Sequence, residues 1–247
     1  MYKLPTLAIT VQNESDRSKN IYSELRKLEP WCSIIVNKFY SPCKNYRGTS
    51  DNNHCVQKNL YNNHQKCAQY ILDNNVPYGL VLESDFKVLV DQPTLDITMN
   101  ALLKWLDKHS TQFDILLLGG HFNSIDNQNA LNDSHVIRVD SYSSKTHAVI
   151  YSRSFCQQIV DNDWPGMHFD IYWSNHRKDI RMFMTRDMVI GVNHSRHMRQ
   201  MNRGHFFAFL FQTYTNTIAF KLSFIIISMV LIILVLFLIW KNTMLSK

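Results

Sequence analysis

Between Leu4 and Leu118 short apolar runs alternate with stretches whose apolar residues recur at helical spacing. That alternation is the pattern of an open α/β sheet with helices packed against it. Residues 4–11 form the first predicted strand. Ile21, Leu25 and Leu28 then repeat every three or four residues, Ser15 or Asp16 is placed to cap the helix start, and Pro30 closes it. Residues 33–40 read as a second strand, and residues 41–53, with Pro42 and Gly48, as a surface loop. A helix over 54–72 carries Leu60, His64, Cys67 and Ile71 on roughly one face. A further helix over 94–108 follows Pro93 and turns Leu95, Met99, Leu102, Leu103 and Leu106 inward. Residues 113–118 form another apolar strand, closed by Gly119-Gly120, a pair that either lets a backbone or a ligand come close or simply makes a tight turn. The polar stretch 121–134 reads as a loop. Strands over 136–139, 146–151, 180–184 and 188–192 and a short helix over 154–160 complete the set.

One strand in this series ends unusually. In YGLVLESDFKVLV, residues 78–90, an apolar run stops at two acids, Glu83 and Asp85, before a second apolar run begins. Charged groups almost never go inside unless they are paired or hold a metal. On a regular strand, residues two apart project from the same side, so Glu83 and Asp85 would point together with Ser84 turned away. Two hard oxygen donors suit Mg²⁺ or Mn²⁺ and suit zinc or copper poorly. In open α/β sheets ligands bind at the carboxyl ends of strands, where this pair would lie. The plain alternative is two solvated acids in a turn.

Beyond residue 195 the chain changes character. Residues 222–240 are uncharged and apolar except for Ser223 and Ser228, and nineteen helical residues span about 28 Å, the thickness of a bilayer core. Lys221 bounds one end; Trp240 and Lys241 close the other as interfacial anchors. Arg196, Arg199, Arg203 and Lys221 precede the span, against Lys241 and Lys247 after it, so the positive-inside tendency places residues 1–218 in the cytosol. A formal net charge of +6 calls for an acidic partner, and much of it lies next to this span, where an anionic membrane surface accounts for it. No basic patch has nucleic-acid motif spacing, so no nucleic-acid partner is expected. Five cysteines, with no secretory signal at the N-terminus, favour reduced thiols. The layout expected is a domain over 1–195, a basic linker over 196–221, the transmembrane helix over 222–240 and a short tail over 241–247.

Several segments, in order, resemble glycosyltransferase family 25, the lipopolysaccharide- and collagen-type transferases. LAITVQNESDR, ending at Arg17, is similar to the family's first strand and its nucleotide-side arginine. The helix with Cys55 and His64 stands where the family has its Gly-Cys and Ser-His signature. LVLESDF matches its Leu-Glu-Asp-Asp segment, FDILLLGG its Asp-Ile-Leu-x-Leu-Gly strand, KTHAVIYSR its Thr-x-Ala strand, and Phe169-Asp170 its later Pro-x-Asp element. The likeness covers about residues 4–195. It departs at Ser84, where the family has its middle acid, at His54, and at Asn63-His64.

The resemblance implies a GT-A-like open mixed sheet flanked by helices, followed here by the single transmembrane helix. It implies transfer of a sugar from a nucleotide-sugar, a UDP-sugar, to a hydroxyl of a glycan, lipid or protein acceptor, with Mn²⁺ or Mg²⁺. By the same resemblance Glu83 and Asp85 bind metal and donor, His194 is a further metal ligand, Arg17 contacts the nucleotide and Asp170 acts as general base on the acceptor. A cytosolic or virion-interior transferase of this kind fits a viral or bacterial member. The competing expectation, prompted by Ser84, is an inactive GT-A-like adaptor at the membrane.

Overall fold

Strand β1 (Leu4–Val11) pairs in parallel with β2 (Cys32–Phe39) on one side and β3 (Tyr78–Leu82) on the other. Parallel neighbours need a crossover, and the helices supply it: α1 (Ser15–Leu28) joins β1 to β2, and α2 (Ser50–Asp73) joins β2 to β3. The structure, a computed structural model, describes residues 3–11, 15–39, 50–119, 121–126, 128–144, 147–176 and 178–192. The chain divides into two compact units, Met1–Asn193 and His194–Lys247, and every described residue lies in the first.

The remaining elements are β4 (Phe86–Val88), α3 (Gln92–His109), β5 (Ile115–Leu117), β6 (His121–Asp126), β7 (Val136–Ser144), β8 (Ala148–Ser152), α4 (Arg153–Asp161), α5 (Phe169–Asn175), β9 (Met182–Thr185) and β10 (Ile190–Val192). Eight strands form one mixed sheet in the order β2-β1-β3-β8-β5-β9-β7-β6, while β4 and β10 pair separately. Strand β8 runs antiparallel to both its neighbours, β3 and β5. Its beginning therefore lies against their carboxyl ends, which is the relationship that builds the site.

Alternate residues of the central strands serve two faces. Leu80, Leu82, Leu116, Ala148 and Ile150 pack with Ile21, Leu25 and Leu28 of α1 and Leu95, Met99 and Leu102 of α3. Val81, Ile115, Leu117, Val149 and Tyr151 pack with Tyr61, Cys67 and Ile71 of α2, Phe155 of α4, and Phe169 and Trp173 of α5. A strand buried on both faces reads as a continuous apolar run, which is why YGLVL and AVIY lack alternation. Each such Leu, Val or Phe contributes roughly 1.5–3 kcal/mol on burial. The result is an open mixed sheet flanked by helices, as expected.

Local chemistry sets the element ends. Asp91 accepts a hydrogen bond from the Thr94 amide at 3.0 Å, so α3 begins at Gln92, ahead of the predicted start, with Pro93 in its first turn. Asp114, buried at the foot of β5, accepts from the Arg181 guanidinium at 2.7 and 3.1 Å and ties that end to β9. Gly119 does permit a close approach: a Cβ there would run into the carbonyl oxygen of Ile190.

Three expectations change. The polar stretch after Gly120 is not all loop, because β6 is an edge strand on β7 with irregular register. An edge strand pairs through its backbone alone, so its sequence shows no apolar alternation. Residues 86–90 do not prolong the strand before the acids; β4 turns away and pairs with β10. Among the cysteines, Cys32, Cys67 and Cys156 are buried thiols outside any disulfide, but Cys55 is disulfide-bonded, against the expectation of reduced thiols throughout. Among the described residues no helix is long and apolar enough to cross a membrane; the span expected at 222–240 lies outside them.

Candidate metal centre

Strand β3 delivers Glu83 to the edge of the sheet, where its amide still donates to the His147 carbonyl at 2.9 Å. The strand has ended by then. Residues 83–85 form a tight turn in which the Phe86 amide donates back to the Glu83 carbonyl at 3.2 Å. The acids therefore do not share a side by strand alternation, as the sequence suggested; the turn brings them together.

They converge on a histidine that the sequence reading left unassigned. His147 directly precedes β8, and its Nδ1 lies 2.8 Å from Asp85 Oδ1 and 3.3 Å from Glu83 Oε2. One ligand atom from each of Glu83, Asp85 and His147 falls within 4.8 Å of the others. Their side chains are 12, 24 and 15% exposed, so the cluster is mostly buried yet still in contact with solvent. A signal was available: a polar residue immediately before the apolar AVIY run mirrors the acids immediately after LVL.

Glu83 has a second histidine behind it. Its Oε1 lies 3.3 Å from His64 Nε2, and His64 is wholly buried. The other ring nitrogen, Nδ1, is 2.7 Å from the Tyr151 hydroxyl. The His64 ring also packs edge-on against Phe169, centroids 5.3 Å apart. The sequence placed His64 on the helix face with Leu60, Cys67 and Ile71; the structure puts it on the buried stripe with Tyr61, Cys67 and Ile71.

The electrostatics follow from this arrangement. Burial alone would raise the Glu83 carboxyl, but hydrogen bonds from His147 and His64, together with the charge of His147, hold it well below the ordinary carboxylate range. Burial would lower His147, yet the charge and hydrogen bond of Asp85, then those of Glu83, push it up to about 10. Without a cation, two carboxylates therefore share one imidazolium proton.

Two carboxylate oxygens and one imidazole nitrogen are a fitting donor set for Mn²⁺ or Mg²⁺, with two negative charges against a divalent cation. The hydrogen bond from His64 to Glu83 is the kind of outer support such ligands carry.

Asp170 is partly buried in the first turn of α5, where its Oδ1 accepts from the Ile171 amide at 2.8 Å; it follows Phe169, the ring that touches His64. It is not a member of the metal cluster. Arg17 lies near the start of α1, which begins beyond the carboxyl end of β1, the same sheet edge as the acids; its side chain is outside the described residues. His194 also lies outside them.

No protein-family model matches the sequence, and no curated protein matches it. Among solved structures the chain is similar to a number of proteins, three of which follow, each at low identity. The glycosyltransferase involved in the glycosylation of the major capsid of PBCV-1 is 10% identical, with 74% of this chain and 93% of that one covered and a TM-score of 0.38. Mannose-1-phosphate geranyltransferase from Thermus thermophilus is 10% identical, covering 75% and 74%, with a TM-score of 0.43. A197 from STIV is 9% identical, covering 74% and 81%, with a TM-score of 0.38. At these scores the neighbours fix neither family nor reaction, and the geometry of the site carries the reading.

Proposed function

We propose that this chain is a glycosyltransferase that moves a sugar from a nucleotide-sugar, a UDP-sugar, to an acceptor hydroxyl. The observation that carries it is the convergence of Glu83, Asp85 and His147 at the carboxyl ends of the parallel strands β3 and β5. These three residues would hold Mn²⁺ or Mg²⁺, which when bound neutralises charge building on the departing diphosphate. Glu83 and Asp85 orient the donor, and Arg17 pairs with a nucleotide phosphate. Asp170 takes the proton of the acceptor hydroxyl as that oxygen bonds to the anomeric carbon and the nucleoside diphosphate leaves. The sequence likeness to family 25 and its GT-A fold supports the same reading, with a glycan, lipid or protein as acceptor. It also offers His194 as a ligand.

In this reading residues 222–240 anchor the chain in a membrane and the charge bias puts the catalytic domain in the cytosol. The disulfide at Cys55 is the observation on the other side, because disulfides persist in oxidising compartments. Protease protection of the N-terminal domain in sealed microsomes separates the two placements.

The experiment for the activity is Mn²⁺-dependent hydrolysis of UDP-sugars by the full chain, its Glu83→Ala, Asp85→Ala and His147→Ala variants, and His194→Ala. The expected outcome is activity in wild type that is lost in the first three. Equal background in all, with no Mn²⁺-dependent nucleotide binding, would instead establish the second reading, an inactive adaptor, which Ser84 favours.

A further inference from the structure

We propose that Tyr151 and His64 are positioning residues, a relay that fixes the Glu83 carboxylate so that one oxygen faces the cation site. The inference rests on the metal reading above and concerns what holds the ligand in place.

The starting point is a buried imidazole in an aromatic layer. His64 has no exposed surface, and Tyr151 and Phe169 stand against its ring. A buried polar ring is costly unless its nitrogens are hydrogen-bonded. Both are: Nδ1 to the Tyr151 hydroxyl at 2.7 Å, Nε2 to Glu83 Oε1 at 3.3 Å.

Proton bookkeeping gives this chain a direction. An ionised carboxylate only accepts, so the hydrogen between His64 and Glu83 sits on Nε2. In the neutral ring Nδ1 is then the acceptor, and the Tyr151 hydroxyl donates to it. The sequence is Tyr151 O–H to His64 Nδ1, then His64 Nε2–H to Glu83 Oε1.

The consequence falls on the opposite oxygen. With Oε1 engaged by His64, Oε2 is the atom turned to His147, 3.3 Å from its Nδ1. A glutamate on a tight turn has a torsion free to swing its carboxylate; here a residue of the long helix α2 holds it. Strand β8 contributes at both ends of the assembly. Tyr151 sits four residues after His147, on the same face by strand alternation. The ligand and the end of the relay thus move with one strand.

The test is Mn²⁺ titration of the full chain in detergent, read by the electron paramagnetic resonance of free Mn²⁺. Tyr151→Phe removes only a hydroxyl, and we expect about tenfold weaker binding; His64→Ala should weaken it roughly 10–100-fold, the usual effect of outer partners of metal ligands. His64→Gln restores a donor near Nε2 and should recover part of the loss. Because the hydroxyl acts through the imidazole, Tyr151→Phe should add nothing in the His64→Ala background, whereas independent packing effects would add. Phe169→Leu, which loosens the ring against His64 and leaves both hydrogen bonds, should lower Tm and keep Mn²⁺ affinity within about twofold. Binding by Tyr151→Phe and His64→Ala within twofold of wild type, or additive losses, overturns the relay.

A second readout does not need the metal. In chains labelled with ¹⁵N-histidine, His64 should appear as one neutral tautomer with its proton on Nε2, and Tyr151→Phe should mix the tautomers. If wild type binds no Mn²⁺ while this tautomer is present, the metal reading fails and the hydrogen-bonded chain stands as structure only. If wild type binds Mn²⁺ and the tautomer is absent, the relay alone fails.

Discussion

Glu83 and His147 meet twice, once through the backbone, amide to carbonyl at 2.9 Å, and once through their side chains, carboxylate to imidazole at 3.3 Å. The backbone contact extends the β3–β8 register one step past the last strand residues. The backbones of the two residues are therefore spaced by the sheet register, while the turn that starts at Glu83 brings in Asp85. Ligands hung directly on a strand end are held more closely than ones far out on loops.

The departure at position 84 can be weighed on this geometry. Ser84 lies in the turn between two acids that already converge with His147. Ser84→Ala is expected to bind Mn²⁺ within about twofold of wild type, the range of a substitution that touches no partner. Calorimetric titration checks this, and a loss as large as that of Asp85→Ala would return the serine to the ligand set.

In the metal-free protein, kept in chelator, the cluster should impress a pH dependence on Tm. His147 is raised from 6.5 to about 10, so its contribution is complete below 6.5 and fades as pH climbs through 10. Glu83 is lowered from 4.5, so its contribution is present above 4.5 and is lost as pH falls below it. The cluster's stabilisation is therefore greatest between 4.5 and 6.5, and His147→Gln should flatten the alkaline limb. Saturating Mn²⁺ reverses that limb, because a ligating imidazole must first give up its proton. Differential scanning fluorimetry across pH reads all three.

Gly119 offers a packing test away from the ligands. With the Ile190 carbonyl in the place a Cβ would take, Gly119→Ala must displace backbone at the junction of β5 and β10. Overpacking of this kind costs about 2 kcal/mol or more, a drop in Tm of roughly 4–8 °C for a domain of this size. A wild-type melting curve would contradict the close approach.

The thiols divide into two classes. Under denaturing conditions without reductant, Cys32, Cys67 and Cys156 should label with maleimide and Cys55 should not; in the native protein the first three are shielded by burial. Burial also pushes the Cys32 thiol up to about 11, which slows it further. Peptide mass mapping after labelling decides it.

Much of the fold was legible because its central strands and helices obey one period each. Residues 4–11 and the helix ending at Leu28 coincide with β1 and α1, since a doubly buried strand and an amphipathic helix leave unmistakable patterns. The edge strand β6 was not legible, because its backbone pairing needs no apolar side chains. At the site, Glu83 and Asp85 announced themselves as charges beside a core strand. His147 did not, for its partners are 64 and 62 residues away and only the antiparallel insertion of β8 brings it to them. His64 was visible as a member of a helix face, yet nothing local tells an imidazole filling a core from one serving a ligand.

His64 occupies a place on the α2 stripe where a leucine would serve the interior better. The carboxylate beyond it is what makes the imidazole tolerable there. A lineage that abandons the chemistry and loses Glu83 inherits a buried ring with a missing partner, and selection for folding alone then favours removing it. Positions 64, 83 and 151 should accordingly drift as a set among distant descendants, so that under the proposed metal role an apolar residue at 64 would mark a chain that no longer needs the Glu83 carboxylate.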